Sequence, residues 1–240
     1  MDHLGLFLFI IFIASILQTS TGFGFSIIGT PFLLLLFPAH TAIQVNIILS
    51  ICLSASMIVK IRKEIDATLL IRLIKGSIGG LIVGIFVYLY ADIRLLKMTV
   101  GVLILCLTIL LILSWTIQRT SKKDYLIGGL SGLFTTSIGV PGPPLLLYFS
   151  GAKIEKTTLR STTLAYYLVV YFASLAMQMT FGGTTKQTWL SALVALPALF
   201  LGIIVGQWLF KWISQRTFQI ITYMILLFTG GYLIITSVLA

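Results

Sequence analysis

Apolar stretches succeed one another along almost the whole chain, at 4–37, 41–60, 69–91, 95–117, 125–150, 157–180, 188–210 and 217–239, with polar residues gathered at the joints. None shows the alternating period of a barrel strand, so each predicts an apolar α-helix. About 20 such residues cross a bilayer core of about 30 Å. The first stretch, 4–37, is too long for one upright crossing, since a straight helix of that size would reach about 50 Å. It must tilt steeply, break or turn back.

Two of the stretches carry a break rich in glycine, hydroxyl residues and proline. One is Gln18-Thr19-Ser20-Thr21-Gly22-Phe23-Gly24-Phe25-Ser26, and the other is Thr135-Thr136-Ser137-Ile138-Gly139-Val140-Pro141-Gly142-Pro143-Pro144. Each would place unwound backbone at membrane depth. An unpaired N–H or C=O costs several kcal/mol in lipid, so such backbone must face protein or a water-filled cavity. Paired breaks in corresponding positions of two halves point to a transporter's substrate site.

Composition and charge narrow the picture. With 58% hydrophobic and 9% charged residues, the 240-residue chain cannot be a soluble domain. The formal charge of +10 needs no nucleic acid to explain it, because Lys and Arg on one side of a membrane set orientation and meet anionic lipid. If every segment crosses once, the basic residues divide almost evenly between the two sides. If 4–37 and 125–150 are re-entrant hairpins, one side collects all sixteen Lys and Arg except Arg94, Lys97 and Lys186. The positive-inside rule therefore favours hairpins.

The expected fold is an all-α polytopic membrane protein, one membrane domain over 1–240 with halves at 1–118 and 119–240. Each half is a re-entrant or broken-helix hairpin plus three transmembrane helices. Three crossings invert the following half, which gives an inverted repeat with six full spans and both termini outward. Internal similarity points the same way: Gly80-Leu81-Ile82-Val83-Gly84 aligns with Gly202-Ile203-Ile204-Val205-Gly206, Arg94 with Arg216, and Pro31-Phe32-Leu33-Leu34-Leu35 with Pro144-Leu145-Leu146-Leu147-Tyr148. Chance likeness between apolar helices is the competing reading.

At a broken helix the first N–H groups of the new half-helix lack partners and the dipole is electropositive, so that end suits an anion. Ser20, Thr21 and Ser26 offer hydroxyls at the first break, where Gly22, Gly24 and Gly29 permit close backbone approach. Thr135, Thr136 and Ser137 do so at the second, where Gly139 and Gly142 free the backbone and Pro143-Pro144 suits a first helical turn. Small residues in membrane helices also serve close packing, which is the preferred reading for Gly76, Gly79, Gly80, Gly84, Gly202 and Gly206. Asn46, with Gln44 and Ser50, either lines the cavity or bonds between helices. Arg160 either meets an anion at the inner mouth or snorkels as a cytoplasmic anchor. Tyr166, Tyr167 and Tyr171 read as packing or as an interfacial belt.

Other chemistry is unsupported. Asp2, Glu64, Asp66, Asp92, Asp124 and Glu155 all fall in predicted loops or termini, which disfavours a midplane proton relay or an acidic cation filter. Cys52 and Cys106 read as small buried hydrophobes, and His3 and His40 form no metal pattern. The first apolar run lacks a basic n-region and a cleavage site, so it reads as a membrane segment rather than a secretory signal. No P-loop, zinc motif or nucleophile elbow appears, and the chain reads as a non-enzyme without cofactors.

The run Thr21-Gly22-Phe23-Gly24-Phe25-Ser26 followed by Pro31-Phe32-Leu33-Leu34, and Gly128-Gly129-Leu130-Ser131-Gly132-Leu133-Phe134 leading into Gly139-Val140-Pro141-Gly142-Pro143-Pro144-Leu145-Leu146-Leu147-Tyr148, resembles the sulfite exporter TauE/SafE family, also called the toluene-sulfonate uptake permease superfamily. Asn46 and Arg160 fall where that family's pattern places them. The resemblance implies a multi-pass permease of the bacterial inner membrane for small sulfur-containing anions such as sulfite, sulfonates or sulfoacetate, or related organic anions. Many members carry a Gly-Gly-Gly run at the first break; here Phe23 and Phe25 would narrow the cradle or make it more apolar. The expected function is secondary transport by alternating access, with partners limited to a small anion and the bilayer and with a homo-oligomer compatible. The alternative is an anion channel built on the same half-helices, and a third reading is a membrane-embedded subunit of a larger assembly.

Overall fold

The computed structural model describes residues 4–112, 118–152, 154–212 and 214–239. Asp2 and His3, named above, lie outside the described residues. Among the described residues ten α-helices follow in order: α1 (Leu4–Thr21), α2 (Phe25–Leu36), α3 (Ala39–Ile61), α4 (Ala67–Tyr90), α5 (Ile93–Ile112), α6 (Ser121–Ile138), α7 (Gly142–Gly151), α8 (Lys156–Gly182), α9 (Lys186–Trp212) and α10 (Gln215–Leu239). The first and fifth apolar stretches each give two helices, broken at 22–24 and 139–141. Five of the helices, α1, α3, α4, α8 and α9, are long and apolar enough to cross a membrane by length and composition.

Both broken stretches fold back on themselves. Phe7, near the start of α1, packs edge-on against Phe37, just past the end of α2, with ring centroids 5.3 Å apart. In the second, Tyr148 of α7 donates to the Asp124 carboxylate in the first turn of α6 at 2.5 Å. Each pair is therefore a hairpin with its break at the tip.

Two glycine seams hold the hairpins to the rest. A Cβ at Gly76, Gly80 or Gly84 of α4 would run into the backbone of Tyr125, Gly129 or Leu133 of α6, so these two helices advance side by side in one direction. Gly202 and Gly206 of α9 press in the same way on Phe12, Ser15, Ile16 and Thr19 of α1. Such backbone proximity is what small residues at four-residue spacing allow in membrane helices. Gly79 is the exception, since a Cβ there would touch nothing within 4 Å. It faces away from the seam, because one residue's step turns a helix by about 100°.

Polar contacts sort the helix ends. At one end Arg119 meets Asp66 at 2.9 Å, Arg72 meets Asp124 at 3.2 Å, Lys60 donates to Gln207 at 3.0 Å, and Ser161 donates to Glu64 at 3.0 Å. At the other, Gln44 donates to the Gly183 carbonyl at 2.8 Å and His40 stacks on Tyr88 with centroids 4.4 Å apart. The α6–α7 hairpin is rooted at the first end and the α1–α2 hairpin at the second.

Three residues sit differently from the sequence expectation. Asp124, expected in a loop, is fully buried in the first turn of α6, and its charge is met by Arg72, Arg119 and the Tyr148 hydroxyl. Cys106, expected to be buried, is exposed on α5, while Cys52 is half-buried. A thiol is apolar enough to face hydrocarbon.

Candidate functional site

The α1 helix ends because Gly22 turns left-handed, with φ +85°, and its N–H closes on the Gln18 carbonyl at 2.7 Å. Gly24, at φ +127°, then caps α2 with no side chain of its own. The first helical bond of α2 runs from the Ile28 N–H to the Gly24 carbonyl at 3.0 Å. The N–H groups of Phe25, Ser26 and Ile27 thus precede the ladder and point out of the helix end. The second break is built differently. Gly139, at φ +73°, ends α6 through bonds from its own N–H to the Thr135 carbonyl at 2.8 Å and from Val140 N–H to Phe134 at 3.2 Å. The α7 helix then opens on Gly142, Pro143 and Pro144, and the two prolines have no N–H to offer. Of the two half-helix ends, α2 brings backbone donors and α7 brings little beyond the Gly142 N–H.

The breaks are braced crosswise. Gly22 lies against α8, where a Cβ would come 2.7 Å from the Arg160 Cα, and Gly139 lies against α3, where a Cβ would come 3.1 Å from Asn46 Nδ2. Asn46 Nδ2 donates to the Gly139 carbonyl at 2.9 Å. Because a carbonyl can only accept, the amide is oriented by this bond, and Oδ1 faces the other way. There it meets Gly29 of α2, whose Cβ, if present, would lie 3.0 Å from it. One side chain is therefore flanked by both hairpins.

Around it the polar residues form stripes at four-residue spacing: Ser26 and Thr30 on α2; Asn46, Ser50 and Ser54 on α3; Thr163, Tyr167 and Tyr171 on α8. All are buried. The Tyr171 hydroxyl donates to the Gly139 carbonyl at 3.4 Å and sits beside Ser26, Ser50 and Asn46. Gly142 approaches Tyr167, its absent Cβ falling 3.1 Å from the Tyr167 oxygen. Among the described residues, the side-chain oxygens of Ser26, Thr30, Ser50, Ser54, Thr163 and Tyr167, and Asn46 Oδ1, are buried without a hydrogen-bond partner. Such groups cost about 1–3 kcal/mol each when buried unpaired, so a cluster of them marks a place prepared for polar contact. Apolar cores flank it, one including Ile43, Ile47, Val140 and Tyr166, the other Phe25, Leu49, Leu164 and Leu199.

The remaining hydroxyls at the breaks are used locally. Ser20 donates to the Ile16 carbonyl at 2.7 Å, Thr21 to Leu17 at 2.6 Å and also to Phe23, and Ser137 to Leu133 at 2.8 Å. Thr135 bonds the Ser131 carbonyl at 2.6 Å. Thr136 pairs with Ser174 at 2.8 Å, and Gln178 donates to its carbonyl at 2.8 Å, so it faces α8. Pro143 is buried in the first turn of α7. Phe23 and Phe25 are both buried and pack into separate apolar clusters. Arg160 is only 7% exposed, and its guanidinium carbon lies 4.1 Å over the Phe210 ring.

The structure thus brings Ser26, Asn46, Gly139 and Gly142 together, with Gly22, Gly24 and Arg160 at the neighbouring tip. Thr30, Ser54 and Thr163 belong to the same stripes and were not singled out from sequence; their helical spacing was the available signal. Tyr167 and Tyr171 are wholly interior and form no belt.

A family model described as "Sulfite exporter TauE/SafE" matches residues 7–233. Neither a curated protein nor a solved structure matches the chain.

Proposed function

The chain belongs to the sulfite exporter TauE/SafE family, a family of membrane transporters, and from that premise we propose that it is a secondary transporter for small sulfur-containing anions, sulfite, sulfonates or sulfoacetate among them. It is a multi-pass protein of the cell membrane. The observation that carries the reading is the position of Asn46 between the two hairpins, amid buried hydroxyls without partners and next to the open N-terminus of α2. An anion there would meet backbone and hydroxyl donors while the apolar cores exclude bulk water.

The same proposal makes the two halves an inverted repeat. Helix pairings exchange when the halves are swapped: α4 with α6 becomes α9 with α1, α4 with α8 becomes α9 with α3, and α5 with α7 becomes α10 with α2. The end bearing Lys60, Arg72, Arg119 and Arg160 is then cytoplasmic by the positive-inside rule, and both hairpins are re-entrant. Alternating access follows from movement of the halves about the shared site. Export of an anion is driven by an inside-negative potential, worth about 2.3 kcal/mol per charge per 100 mV.

Replacement of the Gly139–Pro144 segment by helix-forming residues tests the reading. Purified protein in proteoliposomes should lose saturable sulfite counterflow while still inserting and remaining folded. Retained counterflow would refute the site, and single-channel currents in place of counterflow would replace the carrier with a pore.

A further inference from the structure

Asn46 Oδ1 is a hydrogen-bond acceptor without a partner, set among hydroxyls and the N–H groups of α2, and its orientation is fixed. The Gly139 carbonyl claims the amide nitrogen at 2.9 Å, and the oxygen, buried against Gly29, has no hydrogen-bond partner. An acceptor aimed at a fully deprotonated oxyanion would repel it. It suits a ligand that brings its own O–H or N–H.

The charge balance of the cluster points the same way. Ser26, Ser50, Thr163, Tyr167, Tyr171 and the N-terminal N–H groups of α2 are uncharged. Among the described residues, no ionisable side chain of α2, α6 or α7 faces Asn46: Asp124 and Tyr148 bond each other at the base of their hairpin. From α3, His40 is stacked on Tyr88 at the far end. From α8, Tyr171 lies beside it, and the Arg160 guanidinium lies over Phe210 of α9. The cost of bringing an ion out of water rises with the square of its charge, so neutral donors suit one negative charge far better than two.

Resting on the proposed transport function, we infer that this site takes the singly charged, monoprotonated form of an oxyanion, with the ligand O–H donated to Asn46 Oδ1 and its charged oxygens received by Ser26, Ser50, Tyr167 and the α2 N-terminus. For sulfite the species bound is hydrogen sulfite. An alkanesulfonate, monoanionic at any working pH and without a donor, fits the donor side alone.

The test uses purified full-length protein in proteoliposomes, with sulfite, methanesulfonate and hydroxymethanesulfonate as competing substrates at a series of pH values. Apparent sulfite affinity should fall in proportion to the hydrogen sulfite fraction as pH rises, while methanesulfonate affinity stays level. Hydroxymethanesulfonate should bind about 5- to 10-fold more tightly than methanesulfonate, the size of one good hydrogen bond. Asn46→Leu should erase that preference. Gly29→Ala, whose Cβ would come 3.0 Å from Oδ1, should erase it too, with a melting temperature close to that of the unaltered protein distinguishing this from a folding defect. A flat sulfite profile, or a hydroxyl preference that survives both substitutions, would overturn the inference and leave the transport function standing. Failure of every substrate to move would overturn both.

Discussion

Single residues decide where these helices stop. Gly139 combines a left-handed φ of +73° with a neighbour at Asn46 Nδ2, so Gly139→Ala meets both a backbone penalty of about 1–2 kcal/mol and a crowded amide. Lower thermal stability in detergent, with weaker transport, is the expected result; an unchanged melting curve would contradict the geometry. Outside the spans, Asp66 caps α4 by accepting from the Leu69 N–H at 2.9 Å. Burial opposes its ionisation, but the Leu69 N–H, the Arg119 guanidinium and the Thr68 N–H together hold its carboxyl below the ordinary 3.8. The folded-state pKa is depressed, so the stabilisation is complete above the unfolded value and is lost as pH falls through the lower, folded one. Asp66→Ala should cost about 1 kcal/mol at neutral pH and remove this acid-dependent part of the unfolding profile. At this scale the two glycine- and hydroxyl-rich breaks were legible from sequence. The fate of each hydroxyl was not, because Ser20, Thr21 and Ser137 satisfy their own helix carbonyls whereas Ser26 does not, and local sequence looks alike in both cases.

Between elements, the seams are the firmest contacts. A Cβ at Gly80 would enter the Gly129 carbonyl, which is backbone and cannot rotate aside. Gly80→Ala should therefore separate α4 from α6 and destabilise the protein by more than 2 kcal/mol, within the range of overpacking. Gly79→Ala, one residue away and open on that side, should be neutral or gain up to about 1 kcal/mol from helix propensity. Comparing the two melting temperatures checks the seam; equal effects would exclude it. Small-residue spacing made the seams readable from sequence. It could not separate Gly79 from Gly80, because facing direction depends on which partner helix arrives. Nor did the sequence reading join Ser26, Asn46, Ser50, Tyr167 and Tyr171 into one cluster, since three different helices must pack before their four-residue stripes meet.

For the molecule as a whole, charge asymmetry and the two breaks carried the expectation of re-entrant hairpins, of which the structure shows the folding back, Phe7 on Phe37 and Tyr148 on Asp124. Burial of Asp124 was hidden from sequence, because its partner Arg72 is on another helix and Tyr148 on the other arm of its hairpin. The proposed topology predicts labelling: with Cys52 and Cys106 replaced, single cysteines at positions 4 and 40 should react from one face of the membrane and a cysteine at position 63 from the other. Opposite reactivity of positions 4 and 40 would exclude the hairpin at 4–37.

The crosswise bracing carries a mechanical corollary. Gly22 of the leading half rests on a helix of the trailing half, and Gly139 of the trailing half rests on a helix of the leading one. In the proposed mechanism, a swing of one tip would drag its opposite number, like two hooked arms. Under the proposed carrier mechanism, such a linkage would let one mouth yield only as the other shuts, and it would leave either proposed half, expressed by itself, with an unanchored tip.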